Sequence, residues 1–465
     1  MNAAFQELMG IRNRSDGAEA EISGADPVYS SHFKIGETGA AVLAAIGVAV
    51  SDIWEMKTGR RQRVSIAARK GAAAHKSFAY LEARQADGSY QPFPLAAAVL
   101  TTLTMTQPYE TRDGRWFLPH FGLEHLKDRV LGVLGCQATP EAVAQAIGQR
   151  DALELEGAID EARACGGMIR ENSEWLAHPH GQALAARPLV EIEKIGDSDP
   201  EPFAEDDGPP LGAIRVLDLT RILAGPVAAR TCAEFGAEVL MVAAQHAPQI
   251  EPFVIDLSHG KRSCFLDLDQ PAEAERLRQL VAGADVFSQG YRPGVLAARG
   301  FGAEDLAALR PGLIYTSIDC FGQYGPLRQR AGWEQVAQAV TGLCHDSGSE
   351  RPALLPAAAC DYSTGYLGAF GILLALARRA TEGGSYHVKV SLCQSGMFLY
   401  RQGKTEPPEP DLDLAPDELA ALRMESDSGY GPIRHLGPLL ELSETTPGWS
   451  RPSPALGSDN AEWLA

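Results

Sequence analysis

A carboxylate at the start of an apolar helix can attack an acyl carbon, and Asp361 has that setting. It follows Pro356-Ala-Ala-Ala-Cys360 and precedes Tyr-Ser-Thr364-Gly365 and a nearly uncharged helical stretch, Tyr366–Ala377. So placed, it has the chemistry of a covalent nucleophile toward a thioester or similar acyl group. A plain helix cap accounts for the same residue with no chemistry at all. A second candidate is the turn Thr220-Arg221-Ile-Leu223-Ala224-Gly225-Pro226, with small residues where a backbone must approach something and Pro at the expected first helical position. It reads either as a tight structural turn or as a crevice offering a helix N-terminus to an anionic or thioester ligand. Lys261 and Arg262 lie in the Gly turn Ser258-His-Gly-Lys-Arg-Ser263, and Arg292 lies in Tyr291-Arg-Pro-Gly294. Such cations can bind phosphate, although charge alone favours solvated loop residues. Phe321-Gly322-Gln-Tyr-Gly325-Pro326 follows a strand, where a backbone nest, a mobile lid or a simple turn would each fit.

Other chemistries lack their residues. No GxGxxG, P-loop, GxSxG or HExxH pattern occurs. His259, His345 and His387 have no partner at metal spacing. The eight cysteines (136, 165, 232, 264, 320, 344, 360 and 393) form no CxxC pair and read as reduced thiols of a cytoplasmic protein. A net charge of −19 argues against nucleic acid as the main partner. No basic segment followed by an apolar one opens the chain, and no apolar run reaches a membrane span, so neither a leader nor a membrane partner is expected.

The elements that must position these residues follow from patterning. Ile214–Thr220 is strand-like, Pro226–Glu234 helix-like and Glu238–Val242 strand-like again. This βαβ unit recurs more loosely through Val281–Phe287 and Leu313–Ile318, which predicts an open parallel sheet covered by helices. Before it, Thr38 to about Ala83 is Ala-rich and helical, Asp113-Gly114 signals a hairpin, 122–190 looks helical, and Pro188–Ile192 is a possible strand. The acidic, Pro-rich stretch 196–210 is an exposed linker, and 401–428 has similar composition. At 465 residues, two or three domains are expected. The chain also echoes itself. Gly47–Ile66 and Gly371–Val390 both read as helix, Gly turn and strand, and each is preceded by Thr-Gly (Thr38-Gly39, Thr364-Gly365). Aligning the Thr-Gly pairs sets Ile35 opposite Asp361, with Glu37 offset.

Taken in order, these residues resemble the family III CoA-transferases (CaiB/BaiF type), the group that includes formyl-CoA transferase, carnitine CoA-transferase and α-methylacyl-CoA racemase. The resemblance rests on Arg215-Val-Leu-Asp-Leu-Thr-Arg-Ile-Leu-Ala-Gly-Pro226, Gly236-Ala-Glu-Val239, Gly260-Lys-Arg-Ser263, Arg292-Pro-Gly-Val-Leu296, Phe321-Gly-Gln-Tyr-Gly-Pro326 and Asp361-Tyr-Ser-Thr-Gly365. The tail, Gly437-Pro-Leu-Leu-Glu-Leu-Ser443 onward, resembles the family C-terminus. The first 195 residues resemble the family's C-terminal half, through Asp113-Gly-Arg-Trp116, Glu174-Trp175 and His178-Pro179, so the halves stand in rearranged order.

The resemblance implies an α/β fold: a Rossmann-like open parallel sheet domain plus a smaller α+β domain. The segments would be 1–195 (C-terminal-half-like), 196–210 (linker), 211–400 (sheet domain with the nucleophile), 401–428 (linker) and 429–465 (tail). The implied activity is transfer of CoA between an acyl-CoA and a small carboxylic acid through an aspartyl mixed anhydride on Asp361. Backbone N–H groups near Ala224, Gly225, Gly322 and Gly325 would hold the oxyanion, each donor contributing on the order of 3 kcal/mol to the transition state. Arg221, Leu223, Lys261, Arg262, Arg292 and Arg299 would bind CoA, which serves as substrate, with no metal, nicotinamide or flavin. An interlocked homodimer is implied too. Two departures stand out. Met241-Val-Ala-Ala-Gln245 lacks the charges usual after the second strand, and Trp333 stands where racemase members carry His, which disfavours α-proton exchange. The alternatives are an acyl-CoA isomerase or racemase, or a non-catalytic paralogue or half of a hetero-oligomer.

Overall fold

A computed structural model describes residues 2–95, 97–406 and 412–464. A short strand, β1 (Glu21–Ser23), leads into the 24-residue helix α1 (Ile35–Thr58), the strand β2 (Val64–Ala67) and the helix α2 (Ala68–Ala74). The helical expectation for 38–83 is thus interrupted by a strand where Val64 and Ile66 alternate inward. Strands β3 (Tyr109–Glu110), β4 (Trp116–Pro119) and β5 (Gly166–Ile169) form a small antiparallel sheet. The expected Asp-Gly turn joins its first two strands, with Gly114 at φ 71°. Strand β6 (Glu191–Gly196) then precedes 197–210, which holds no helix or strand and is mostly exposed.

The sheet half comprises β7 (Arg215–Leu219), α3 (Ala224–Glu234), β8 (Glu238–Ala243), β9 (Lys261–Phe265), β10 (Val286–Gln289), β11 (Ile314–Asp319), α4 (Glu334–Thr341), α5 (Ala359–Glu382), β12 (Ser385–Ser391) and α6 (Leu392–Arg401). A last strand, β13 (Glu441–Leu442), pairs antiparallel with β2. The main sheet runs β9-β8-β7-β10-β11-β12-β6. The first six strands are parallel, in register at Val216↔Val286 and Ile314↔Tyr386, and β6 lies antiparallel on β12. Successive residues divide between two cores, as a sheet covered on both faces requires. Val216, Val239, Val286 and Ile314 pack with α3 and α5, while Leu217, Leu240, Phe287 and Tyr315 pack with helices Pro271–Ala282 and Ala303–Leu309.

Helices α1 and α5 are each long and apolar enough to cross a membrane, yet both are almost wholly buried inside the fold as core helices. The α3–α5 crossing is close because Gly365 has no side chain. A Cβ there would stand 2.3 Å from the Ala224 carbonyl oxygen. Sequence and structure part elsewhere too, as in 122–190, read as helical, which holds the strand β5. Helix α3 starts at Ala224, ahead of Pro226. The strand expected from Val281 starts at Val286, because the helix before it runs to Ala282. The stretch 401–428, read as a linker, carries a helix, Pro416–Leu422, and a strand, Arg423–Ser428, that pairs with Gly431–Leu436; residues 407–411 of it lie outside the described residues. The tail crosses the β9 edge, where the Ser263 N–H donates to Asp459 and the Trp463 indole donates to the Leu280 carbonyl.

Candidate active site

In the main sheet the chain runs from β7 outward to β8 and β9, then returns to β10 on the other side of β7. A crevice opens at the carboxyl ends of strands at such a reversal. Here it is a cavity of about 260 Å³, walled by the 219–225 turn after β7, by 290–292 after β10, by 318–321 after β11, by 328–333, and by Asp361. The 219–225 turn is strained: Ile222, a β-branched residue, sits at φ 74°. It brings the first turn of α3 to the cavity, where the Ala224 and Gly225 N–H groups have no intrahelical acceptor.

Asp361 is the third residue of α5 and is 6% exposed. Burial, reinforced by the charge of Glu334, pushes its carboxyl well above the usual range; a hydrogen bond from the Ala224 N–H opposes that shift. Glu334, the first residue of α4, caps α5 from outside. Its Oε1 accepts the Cys360 N–H at 3.0 Å, and its Oε2 accepts the N–H of Asp361 itself. Gln338 Nε2 donates to Oε1 at 2.6 Å and is oriented by the Leu355 N–H, 2.8 Å from its Oε1. Burial raises the Glu334 carboxyl as well, against these donors. Asp361 is therefore not the helix cap. Glu334 fills that role, which leaves the Asp361 side chain lining the cavity.

Four arginines line the same space. Among the described residues, Arg221, Arg292 and Arg328 pair with no carboxylate, whereas Arg330 lies 3.4 Å from Glu156 and 3.1 Å from Asp160. The Nε of Arg221 is buried without a partner. Uncompensated guanidinium groups in a concave site suit an anionic ligand. Asp319 also lines the cavity; burial pushes its carboxyl up to about 7, although the Gly322 N–H and the Gln323 side-chain amide both donate to it.

The structure thus brings Asp361, Ala224, Gly225, Arg221, Leu223 and Arg292 around one cavity. Five other candidates lie elsewhere. Lys261 is wholly buried under the sheet, its ammonium 2.7 Å from Asp218 Oδ2 and 2.9 Å from the Pro226 carbonyl. Arg262 faces the tail, bonded to Asp459 and to the Glu462 carbonyl. Arg299 pairs with Asp269 at 2.7 Å outside the lining. Gly322 and Gly325 bend the loop after β11 at φ 76° and 80°, away from the cavity, and the Gly322 N–H is spent on Asp319. The helix limits also revise the internal alignment: Glu37, not Ile35, is the third residue of α1, as Asp361 is of α5. Glu334, Gln338 and Asp319 were not among the candidate site residues read from the sequence, although Gln338 opens a family-like segment, Gln338-Ala-Val-Thr-Gly342. The only cue to Glu334 was an acidic residue opening a helix.

Residues 211–406 match the sequence model described as CoA-transferase family III. They are a family III CoA-transferase domain. An acetyl-coenzyme A transferase, nodX, of Hypoxylon pulicicidum is 34% identical over 333 residues, covering 66% of this chain and 56% of that protein. A human succinyl-CoA:glutarate CoA-transferase is 38% identical over 180 residues, covering 36% of this chain and 41% of that protein. The chain spans about half the length of these curated relatives. A CaiB/BaiF family protein from Brucella suis has been solved; it is 29% identical, with a TM-score of 0.38 over 48% of this chain and 65% of that one. The family III domain ends just past α6, and every cavity residue except Leu123 falls within it.

Proposed function

We propose that the chain is a CoA-transferase with Asp361 as nucleophile, moving CoA from an acyl-CoA to a carboxylic acid through an aspartyl mixed anhydride. The observation that carries this reading is a buried carboxylate, freed from capping by Glu334, lining a cavity that also holds three arginines without carboxylate partners among the described residues. The Asp361 oxygen attacks the thioester carbon, and the C–S bond breaks with its electron pair leaving on the CoA thiolate. The thiolate then attacks the aspartyl carbonyl of the anhydride, which releases the donor carboxylate and leaves an aspartyl-CoA thioester. The acceptor carboxylate takes the reverse path and departs as its CoA ester. The Gly225 N–H, and the Ala224 N–H once it leaves the Asp361 carboxylate, would stabilise the tetrahedral oxyanions. Burial of Asp361 limits access of water, which would hydrolyse the anhydride.

Arg221 and Arg292 are the proposed contacts for CoA phosphates. Relatives named for succinyl-CoA, glutarate and L-malate act on dicarboxylates, and Arg328 in the same lining supports an acceptor with a second negative charge. Eight free cysteines, seven of them buried, support a reducing, cytoplasmic compartment. The homodimer implied by the resemblance remains part of the proposal, and light scattering reads it. An isomerase reading would use Asp319, the titratable group near neutrality in the cavity. The two are separated by incubating the protein with an acyl-CoA, a labelled carboxylate and deuterated water. Label entering the CoA ester, and lost in Asp361→Asn, supports transfer; deuterium entering the α-carbon without label transfer overturns it.

A further inference from the structure

The unit α1–β2–α2 repeats α5–β12–α6. Helices α1 and α5 are both 24 residues long, and equivalent helices start 324 positions apart (35 to 359, 68 to 392). The sheet β1-β2-β13 repeats the order and directions of β11-β12-β6, a parallel pair followed by an antiparallel one. Asp26 accepts the N–H groups of Gly36 and Glu37, as Glu334 accepts those of Cys360 and Asp361. The two long helices pack on each other, and each copy's closing segment grips the start of the other's helix. The Ala358 N–H donates to the His75 carbonyl at 3.1 Å, and the Thr405 N–H donates to the His32 carbonyl at 2.7 Å.

The grip on α5 surrounds Asp361. His75 is fully buried, and its Nε2 lies 2.9 Å from Ser363 Oγ, two residues past Asp361. Its Nδ1 lies 2.8 Å from the Gly71 carbonyl. A carbonyl only accepts, so Nδ1 carries the proton and Nε2 accepts from the Ser363 hydroxyl. Burial, which pushes this ring down to about 4, keeps that neutral form in place. The ring has no slack: a Cβ on Gly39 would stand 2.5 Å from its Cε1, and one on Gly71 would stand 2.3 Å from the Ala40 nitrogen. Beside it, Ser77 Oγ lies 2.8 Å from the Tyr362 hydroxyl, which also accepts the Phe78 N–H at 3.1 Å. Residues 358, 362 and 363, on both sides of Asp361, are therefore anchored by 75, 77 and 78.

We propose that His75 is a positioning residue for Asp361, supplied by the N-terminal copy, which holds the nucleophile's turn through Ser363 and the Ala358 amide. This rests on the reading of Asp361 as nucleophile. The reaction needs the carboxylate within a fraction of an ångström of the acyl carbon, and a 1 Å displacement can cost about a hundredfold in rate.

The test uses the full chain with His75→Gln, which keeps an acceptor toward Ser363, and His75→Asn, which keeps only the donor toward Gly71. Val50→Ala, a core truncation in α1, controls for lost stability. Expected is a fall in the rate of acyl-aspartate formation of about ten- to a hundredfold in His75→Asn with KM within twofold, near-wild-type rates in His75→Gln, and an unchanged rate in Val50→Ala. Equal rates in the two His75 variants, or a loss in Val50→Ala matching that in His75→Asn, would overturn the proposal. The ionisation midpoint of the Asp361 carboxyl, read by isotope-edited infrared spectroscopy against Asp361→Asn, separates the two readings. A midpoint moved in His75→Asn but not His75→Gln, with no acyl-aspartate in the wild type, would sink the nucleophile and keep the positioning. An unmoved midpoint with acyl-aspartate formed equally in all variants would do the reverse.

Discussion

Replacing Lys261 with Met separates a structural cation from a ligand-binding one. The ammonium touches two acceptors, Asp218 Oδ2 at 2.7 Å and the Pro226 carbonyl at 2.9 Å, and both side chains of the ion pair are fully buried. Met preserves most of the stem volume, so the cavity contribution is small. What remains among the described residues is an Asp218 carboxylate that keeps only the Thr220 N–H and hydroxyl on Oδ1, while the Pro226 carbonyl falls back on its place in the α3 backbone ladder. Removing one partner of a buried pair costs about 3–5 kcal/mol. At the sensitivity of a unit of 150–250 residues, about 2–4 °C per kcal/mol, the thermal midpoint should fall by about 6–20 °C. Asp218→Asn in the Lys261→Met background should recover part of this, because the orphaned charge is gone. Urea unfolding followed by tryptophan fluorescence measures the stability, and calorimetric titration below the transition measures CoA affinity. We expect a large stability loss with CoA affinity within twofold of wild type. A tenfold weaker affinity with unchanged stability would show that the ammonium reaches CoA and would refute the reasoning.

Asp361→Asn should abolish transfer yet stabilise the protein near neutral pH. The folded value of this carboxyl lies above its unfolded value, so between the two the native state holds a proton that the unfolded chain releases, and wild-type stability declines as pH rises through that window. The midpoints of the two proteins should converge below the ordinary carboxylate range, as thermal scans across pH will read. Transfer by the wild type should rise with pH above that range, because the nucleophile must be ionised. Glu334→Gln removes the neighbouring charge and should move the acid limb to lower pH, at a cost of about 1–3 kcal/mol because one amide at the start of α5 loses its acceptor. Arg221→Met and Arg292→Met should each weaken acyl-CoA binding about ten- to a hundredfold, and less so at high salt, whereas Arg299→Met should leave it within twofold in the same titration.

The parallel strands were legible because short stretches rich in Val, Leu, Ile and Tyr alternate with helix-like ones, as Arg215–Leu219 and Ile314–Asp319 do. The Asp361 turn was legible for a related reason: a single acidic residue interrupts an otherwise apolar stretch. What the sequence hid depends on distant partners. Lys261 looks like a phosphate-binding turn residue until Asp218, 43 positions earlier, comes to lie beneath it. Arg262 is claimed by Asp459, 197 positions later. Glu334 sits 26 residues before the amide it caps, with no local pattern to betray it. The stretch 401–428 looked like a linker because its acids and prolines resemble solvated chain, yet Arg423–Ser428 finds a hairpin partner in Gly431–Leu436. The internal echo was visible in composition, but its register was set by helix ends that Thr-Gly matching misplaced by two residues.

The most direct test of the central claim is peptide mass spectrometry of protein incubated with short acyl-CoAs and quenched with hydroxylamine, the wild type beside Asp361→Asn. The account predicts a hydroxamate on Asp361 in the wild type and none in the variant. Acyl-CoA binding with no hydroxamate at Asp361, or one mapped to another carboxylate, would contradict it.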